Sequence, residues 1–231
     1  MNDDPTLTAD PASDLPFGPD DILDLPWRDL LLDSAPVEHP AVGDNDWVDQ
    51  KTDGLCVPAS VAMIVAAFGG QPSSAALQTT VADAERLGLL TRDGDGYSGM
   101  TPDGAVALLA GENIPAHVET GGSIDDLQQH LSDGDAVILW VDSHELPLWN
   151  ETDEVERPDH AVVIKEIDTK TGLVYLEDPG HPQGRAEILT IDELQRAWDD
   201  SNDTMIVTDA APQDEGGFVL LPILIDQLLH A

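Results

Sequence analysis

Residues 56–68, CVPASVAMIVAAF, are apolar on nearly every side of a helical wheel, and no other stretch constrains the fold as strongly. A helix without a polar face has to be enclosed by other elements; it cannot lie on a surface. Pro58 suits a first turn, where its missing N–H would go unbonded in any case, and Gly69-Gly70 provides a stop. The spacing therefore predicts a central, buried helix that begins near Cys56.

Three more helices should follow it. PSSAALQTTVADAERLG ends at Gly88; TPDGAVALLAGENI has Thr101 as cap, Pro102 in the first turn and Gly111 as stop; SIDDLQQHL is capped by Ser123. The period then changes to that of strands in AVILWVD (136–142), HAVVIKEID (160–168) and GLVYLED (172–178), the last two joined by a TKTG turn. TIDELQRAW carries a capping box at Thr190 and Glu193, and TMIVTD returns as a strand. Helices first and an antiparallel sheet second define an α+β fold, its N-terminal helical part packed on the sheet.

The 231 residues suffice for one sizeable domain with tails. We expect an acidic, Pro-rich, disordered leader over 1–45, with one short amphipathic turn around Ile22 to Leu32. A folded domain over 46–209 and a C-terminal extension over 210–231 should follow, the extension packing back as a strand and helical turn. The amino terminus lacks a basic, then apolar, signal pattern, and the longest apolar run, FVLLPILI, is too short to span a bilayer. One cysteine rules out an intrachain disulfide. These features predict a soluble, cytoplasmic protein whose oligomeric state is left open.

With 46 acids against 9 bases the net charge is −37, which repels nucleic acid and anionic membranes alike. Only 13 of the acids fall in residues 1–50, so the folded part is acidic too.

Chemistry centres on Cys56. A lone cysteine among apolar residues is by itself more often structural. At a helix amino terminus, however, free N–H groups and the helix dipole favour the thiolate, so a base and a group that orients it become worth seeking. His160 opens a strand and Asp178 closes its hairpin partner, so both reach the same open end if 160–168 and 172–178 pair. Gln50, six residues before Cys56, could join the Cys56 N–H in holding an oxyanion.

Other signals are weaker. RDGDGYSG (92–99) has too few oxygen ligands for a calcium loop and reads as a glycine-rich loop near the cleft. His144 beside Glu145 is no zinc signature, and His117, His130 and His181 have no evident partners. Trp140, Trp149 and Trp198 read as core or cleft wall, with Trp149 in an insert, HELPLWNETDEVERP, that would act as a lid.

QKTDGLCVPASVAMI, DHAVVIKEID and VYLEDPG together resemble the bacteriocin-processing, double-glycine leader peptidases and their stand-alone relatives among the papain-like cysteine peptidases. The resemblance covers roughly residues 47–208. It implies Gln50 as oxyanion-hole residue, Cys56 as nucleophile, His160 as base and Asp178 as orienting acid, acting on a peptide or protein amide with no metal or organic cofactor. Val57 stands where that family usually has glycine, which predicts crowding beside the nucleophile. A silent peptide-binding or adaptor module, or a deamidase or acyltransferase with the same residues, is the alternative.

Self-repulsion at −37 should ease when salt shortens the Debye length to about 3 Å at 1 M. We predict that the thermal midpoint rises in molar KCl. A midpoint no higher than in dilute buffer would count against adaptation to a salt-rich cytoplasm.

Overall fold

A computed structural model describes residues 42–43, 45–149 and 157–209, all within one compact unit, 39–231. Most of the expected leader, the middle of the insert and the C-terminal extension lie outside the described residues.

The elements run α1 (Cys56–Ala67), α2 (Ser73–Leu87), β1 (Arg92–Asp93), β2 (Gly96–Tyr97), α3 (Pro102–Gly111), β3 (Ala116–Glu119), α4 (Ile124–Asp133) and β4 (Val137–Val141). A 3₁₀ turn (Ser143–Glu145), β5 (His160–Asp168), β6 (Leu173–Glu177), β7 (Glu187–Thr190), α5 (Ile191–Asp199) and β8 (Met205–Thr208) complete the order. Six strands form one sheet in the order β3-β8-β4-β5-β6-β7, antiparallel throughout. The short β1–β2 hairpin stands apart.

Both faces of the sheet are covered, which explains why its central strands read as continuous apolar runs. Ile138, Ala161, Val163 and Ile206 face the core built by α1, α2 and α3. Val137, Leu139, Val162 and Ile164 face the opposite core with α4 and α5, where Trp198 is fully buried. Helix α1 is the centrepiece the sequence demands: every residue from Cys56 to Val65 is buried. The Ser60 hydroxyl, one turn after Cys56, donates to the Ala161 carbonyl at 3.2 Å and so fixes the height of α1 against β5.

Helix ends follow local chemistry. Gly88 and Gly134 close α2 and α4 in the left-handed conformation, and capping boxes open α4 and α5 at Ser123–Asp126 and Thr190–Glu193. Thr101 stands at the N-cap of α3, but its hydroxyl makes no capping bond. Past the end of α3 it is Asn113, not Gly111, that takes the positive φ, 61°.

The loop before α1 is shaped by one glycine. Gly54 has φ +81°, and a Cβ there would lie 2.3 Å from the Tyr97 carbonyl oxygen. The Tyr97 N–H also donates to the Asp53 carbonyl, so the β1–β2 hairpin clamps the residues leading into Cys56.

Candidate active site

The β5–β6 hairpin forms as its turn residues predict, with Val163 opposite Glu177 and a bulge between Ile164 and Glu166. Its open end carries His160 on one strand and Asp178 just beyond the other. His160 Nε2 donates to Asp178 Oδ1 at 2.6 Å, and both side chains are buried.

Cys56 faces the same ring across the cleft, near enough for its thiol to act on the His160 charge. With Nε2 committed to Asp178, Nδ1 is the nitrogen left for the sulfur. Cys56 is the first residue of α1, no side chain caps that helix, and its first turn holds no acid. The dipole and N–H groups of that end are therefore not neutralised by a neighbouring carboxylate. Cys56, His160 and Gln50 line a cleft of about 580 Å³, together with Trp140, Trp149 and Asp159.

The four residues singled out from the sequence are thus brought together. Gln50 is tied to the acid loop through its backbone N–H, which donates to the Pro179 carbonyl at 2.8 Å. Its Oε1 is buried with no hydrogen-bond partner among the described residues. Val57 does not crowd the cleft as expected: its side chain is fully buried in the helical core. It is not among the residues that line the cleft.

Asp178 has the richest set of partners. Its Oδ1 also accepts the Gly180 N–H at 2.7 Å, and Oδ2 accepts the Trp149 indole N–H at 2.7 Å. Its main-chain oxygen accepts the Trp47 indole N–H at 2.9 Å, while its own N–H donates to Gly184. The Trp149 ring stands edge-on to His160 with centroids 5.1 Å apart. Gly180 makes room for this, since a Cβ there would lie 2.6 Å from both rings. The roles of Trp47, Trp149 and Gly180 toward Asp178 were not read from the sequence. The VYLEDPG turn was the only signal pointing that way.

Electrostatics follow from this packing. Burial alone would push the His160 imidazolium down, but the Asp178 hydrogen bond and the Cys56 thiol, with their charges, outweigh it and raise its pKa to about 10. Burial would push the Asp178 carboxyl up, yet the His160 bond and charge and the Trp149 and Gly180 N–H groups hold it below the usual range. The three histidines for which the sequence offers no evident partner are each engaged. His117 meets Asp209 and Glu119, His130 meets Asp135, and His181 accepts the Gln183 N–H.

Asp142, His144 and Asp159 place one ligand atom each within 4.8 Å of one another beside the cleft. Both Asp142 oxygens already accept backbone N–H groups, those of His144 and Arg157. This trio fits a loop brace at least as well as a cation site.

The family model described as Peptidase_C39 like matches residues 43–206, most of the chain and all of the site. The chain belongs to that family, which places it among the cysteine peptidases. An uncharacterized protein of Mycobacterium tuberculosis and its counterpart in Mycobacterium bovis are each 29% identical over 193 residues, covering 73% of this chain and 82% of theirs. Among solved structures, a C39-like peptidase from Bacillus anthracis shares the fold at a TM-score of 0.55 and 17% identity, over 76% of this chain and all of that one. The peptidase domain of Streptococcus ComA, a bi-functional ABC transporter of a quorum-sensing pathway, matches at 0.50 and 16%, over 73% and 99%. The α+β, papain-like architecture expected from the sequence is that of these structures.

Because Asp178 titrates below its unfolded range, its contribution to stability is present above that range and is lost as pH falls through the lowered folded value. Trp149→Phe removes one of the N–H groups that lower it. Acid unfolding followed by circular dichroism should then set in roughly half a pH unit higher than in wild type.

Proposed function

We propose that this chain is a thiol peptidase that cleaves a peptide or protein amide with Cys56 as nucleophile, His160 as base, Asp178 as orienting acid and Gln50 in the oxyanion hole. The observation that carries the reading is that Cys56 and His160 line one cleft, with His160 hydrogen-bonded behind it to the buried Asp178. The family match supports the same reading.

In the mechanism this arrangement favours, Cys56 and His160 work as a thiolate–imidazolium pair. The thiolate attacks the amide carbonyl carbon, and the negative charge on oxygen is held by the Gln50 side-chain amide and the Cys56 backbone N–H. His160 gives its proton to the leaving amine as the C–N bond breaks, leaving a thioester. It next takes a proton from water, whose oxygen attacks the thioester; the acid departs and the thiol is restored. Asp178 keeps Nε2 protonated, so the sulfur-facing nitrogen performs both transfers. No step calls for a metal or organic cofactor.

Substrate selection is the finer part of the proposal. Asp53 and Asp159 line the cleft and favour a basic residue near the cut, with Arg157 opposing them and salt weakening the preference. A peptide library read by mass spectrometry tests the activity. Wild type should cut, Cys56→Ala should not, and Gln50→Ala should be slower by about 100- to 1000-fold. A wild-type protein that binds peptides without cutting would support the silent binding module instead, and acyl transfer to added amines would support an acyltransferase.

A further inference from the structure

Glu187 is a carboxylate with no part in that mechanism, yet it is buried, 4% exposed, at the start of β7 beside the site. Its Oε1 accepts the Leu148 backbone N–H at 3.2 Å, and its Oε2 is buried with no hydrogen-bond partner among the described residues. Leu148 precedes Trp149, whose backbone N–H returns to the Leu146 carbonyl at 3.1 Å and whose indole N–H reaches Asp178 at 2.7 Å. Leu146 is itself core. This short strap is thus held by two carboxylates, Glu187 on the main chain and Asp178 on the indole.

A buried carboxylate is costly to keep unless its position serves some purpose, since an apolar residue would fill the same space without desolvating a charge. Here the purpose is geometric. With Leu148 fixed, the Trp149 ring lies against His160 and Asp178, in the gap that Gly180 leaves. We infer that Glu187 is a positioning residue: through Leu148 it seats Trp149 on Asp178, and so holds the His160 ring toward Cys56. The inference rests on the Cys56–His160–Asp178 reading above.

Among the described residues, the titratable groups that act on Glu187 are Asp178 and His160. Burial first, then the Asp178 charge, raise the Glu187 pKa to about 7, against the Leu148 N–H and the His160 charge, which lower it. Its ionisation near neutrality strengthens the bond to Leu148, because a charged acceptor holds an N–H more firmly than a neutral one. The indole of Trp149 should register that change.

The test uses Glu187→Gln and Glu187→Ala with two readouts. One is the Trp149 indole N–H resonance, assigned with Trp149→Phe; the other is the alkylation rate of Cys56. In wild type the resonance should shift with pH around 7, following Glu187. Glutamine keeps an acceptor and loses the charge, so the shift should vanish while alkylation at pH 6 stays within about twofold. Alanine should displace the resonance and slow alkylation about 10- to 100-fold, with the rest of the spectrum unchanged.

A folded Glu187→Ala protein with resonance and alkylation both unchanged would overturn the inference. If the alanine variant does not fold, a resonance that still titrates near 7 in Glu187→Gln overturns it equally. Should alkylation prove indifferent to His160→Ala as well, the peptidase reading is what fails, and the resonance still decides the link from Glu187 to Trp149.

Discussion

Asp178 has no exposed surface, and a carboxylate so placed must be satisfied from within the protein. Its partners come from distant parts of the chain: Trp47 before α1, Trp149 after β4, His160 on β5, and Gly180 and Gly184 in its own loop. That convergence positions the rest. The segment that donates from Trp47 runs on to Gln50, which is tied to Pro179, and from there through the Gly54 turn to Cys56. Asp178, His160 and the backbone of Gln50 are therefore tied into one loop assembly that leads into Cys56, although 128 positions separate Gln50 from Asp178 in the sequence.

The two cores bring these parts to register. Helix α1 can present its first residue to β5 only because its remaining faces are enclosed by α2, α3 and the sheet. The Ser60–Ala161 bond then sets Cys56 level with His160. On the opposite face, α4 and α5 keep the central strands dry, so the open end of the β5–β6 hairpin is one of the few places where polar side chains gather in the interior.

Much of this was legible beforehand. The apolar wheel of α1, the capping boxes and the TKTG turn are local signals, and each of those elements formed where its residues indicated. The placement of His160 and Asp178 followed from hairpin geometry alone. Edge strands β3 and β7 escaped notice because four residues with one face in solvent carry little alternation; Ile188 in β7 is half exposed. The clamps on Asp178 were invisible for a different reason. An indole N–H that bonds a carboxylate many residues away leaves no pattern in spacing, and neither does a glycine retained for want of room beside two rings. Val57 shows the converse: a residue that looked obstructive from its neighbour's role points into the core once the helix is built.

The central claim is that His160 activates Cys56, and the pH dependence of iodoacetamide alkylation tests it most directly. Wild type and His160→Ala would be compared from about pH 4 to 9, in dilute and molar salt. Alkylation that stays fast well below the roughly 8.5 of an ordinary thiol, and loses that acid-side reactivity in His160→Ala, is the predicted result. Slow alkylation that rises only near that ordinary value, equal in both proteins, would contradict it and leave Cys56 as a buried residue of the core.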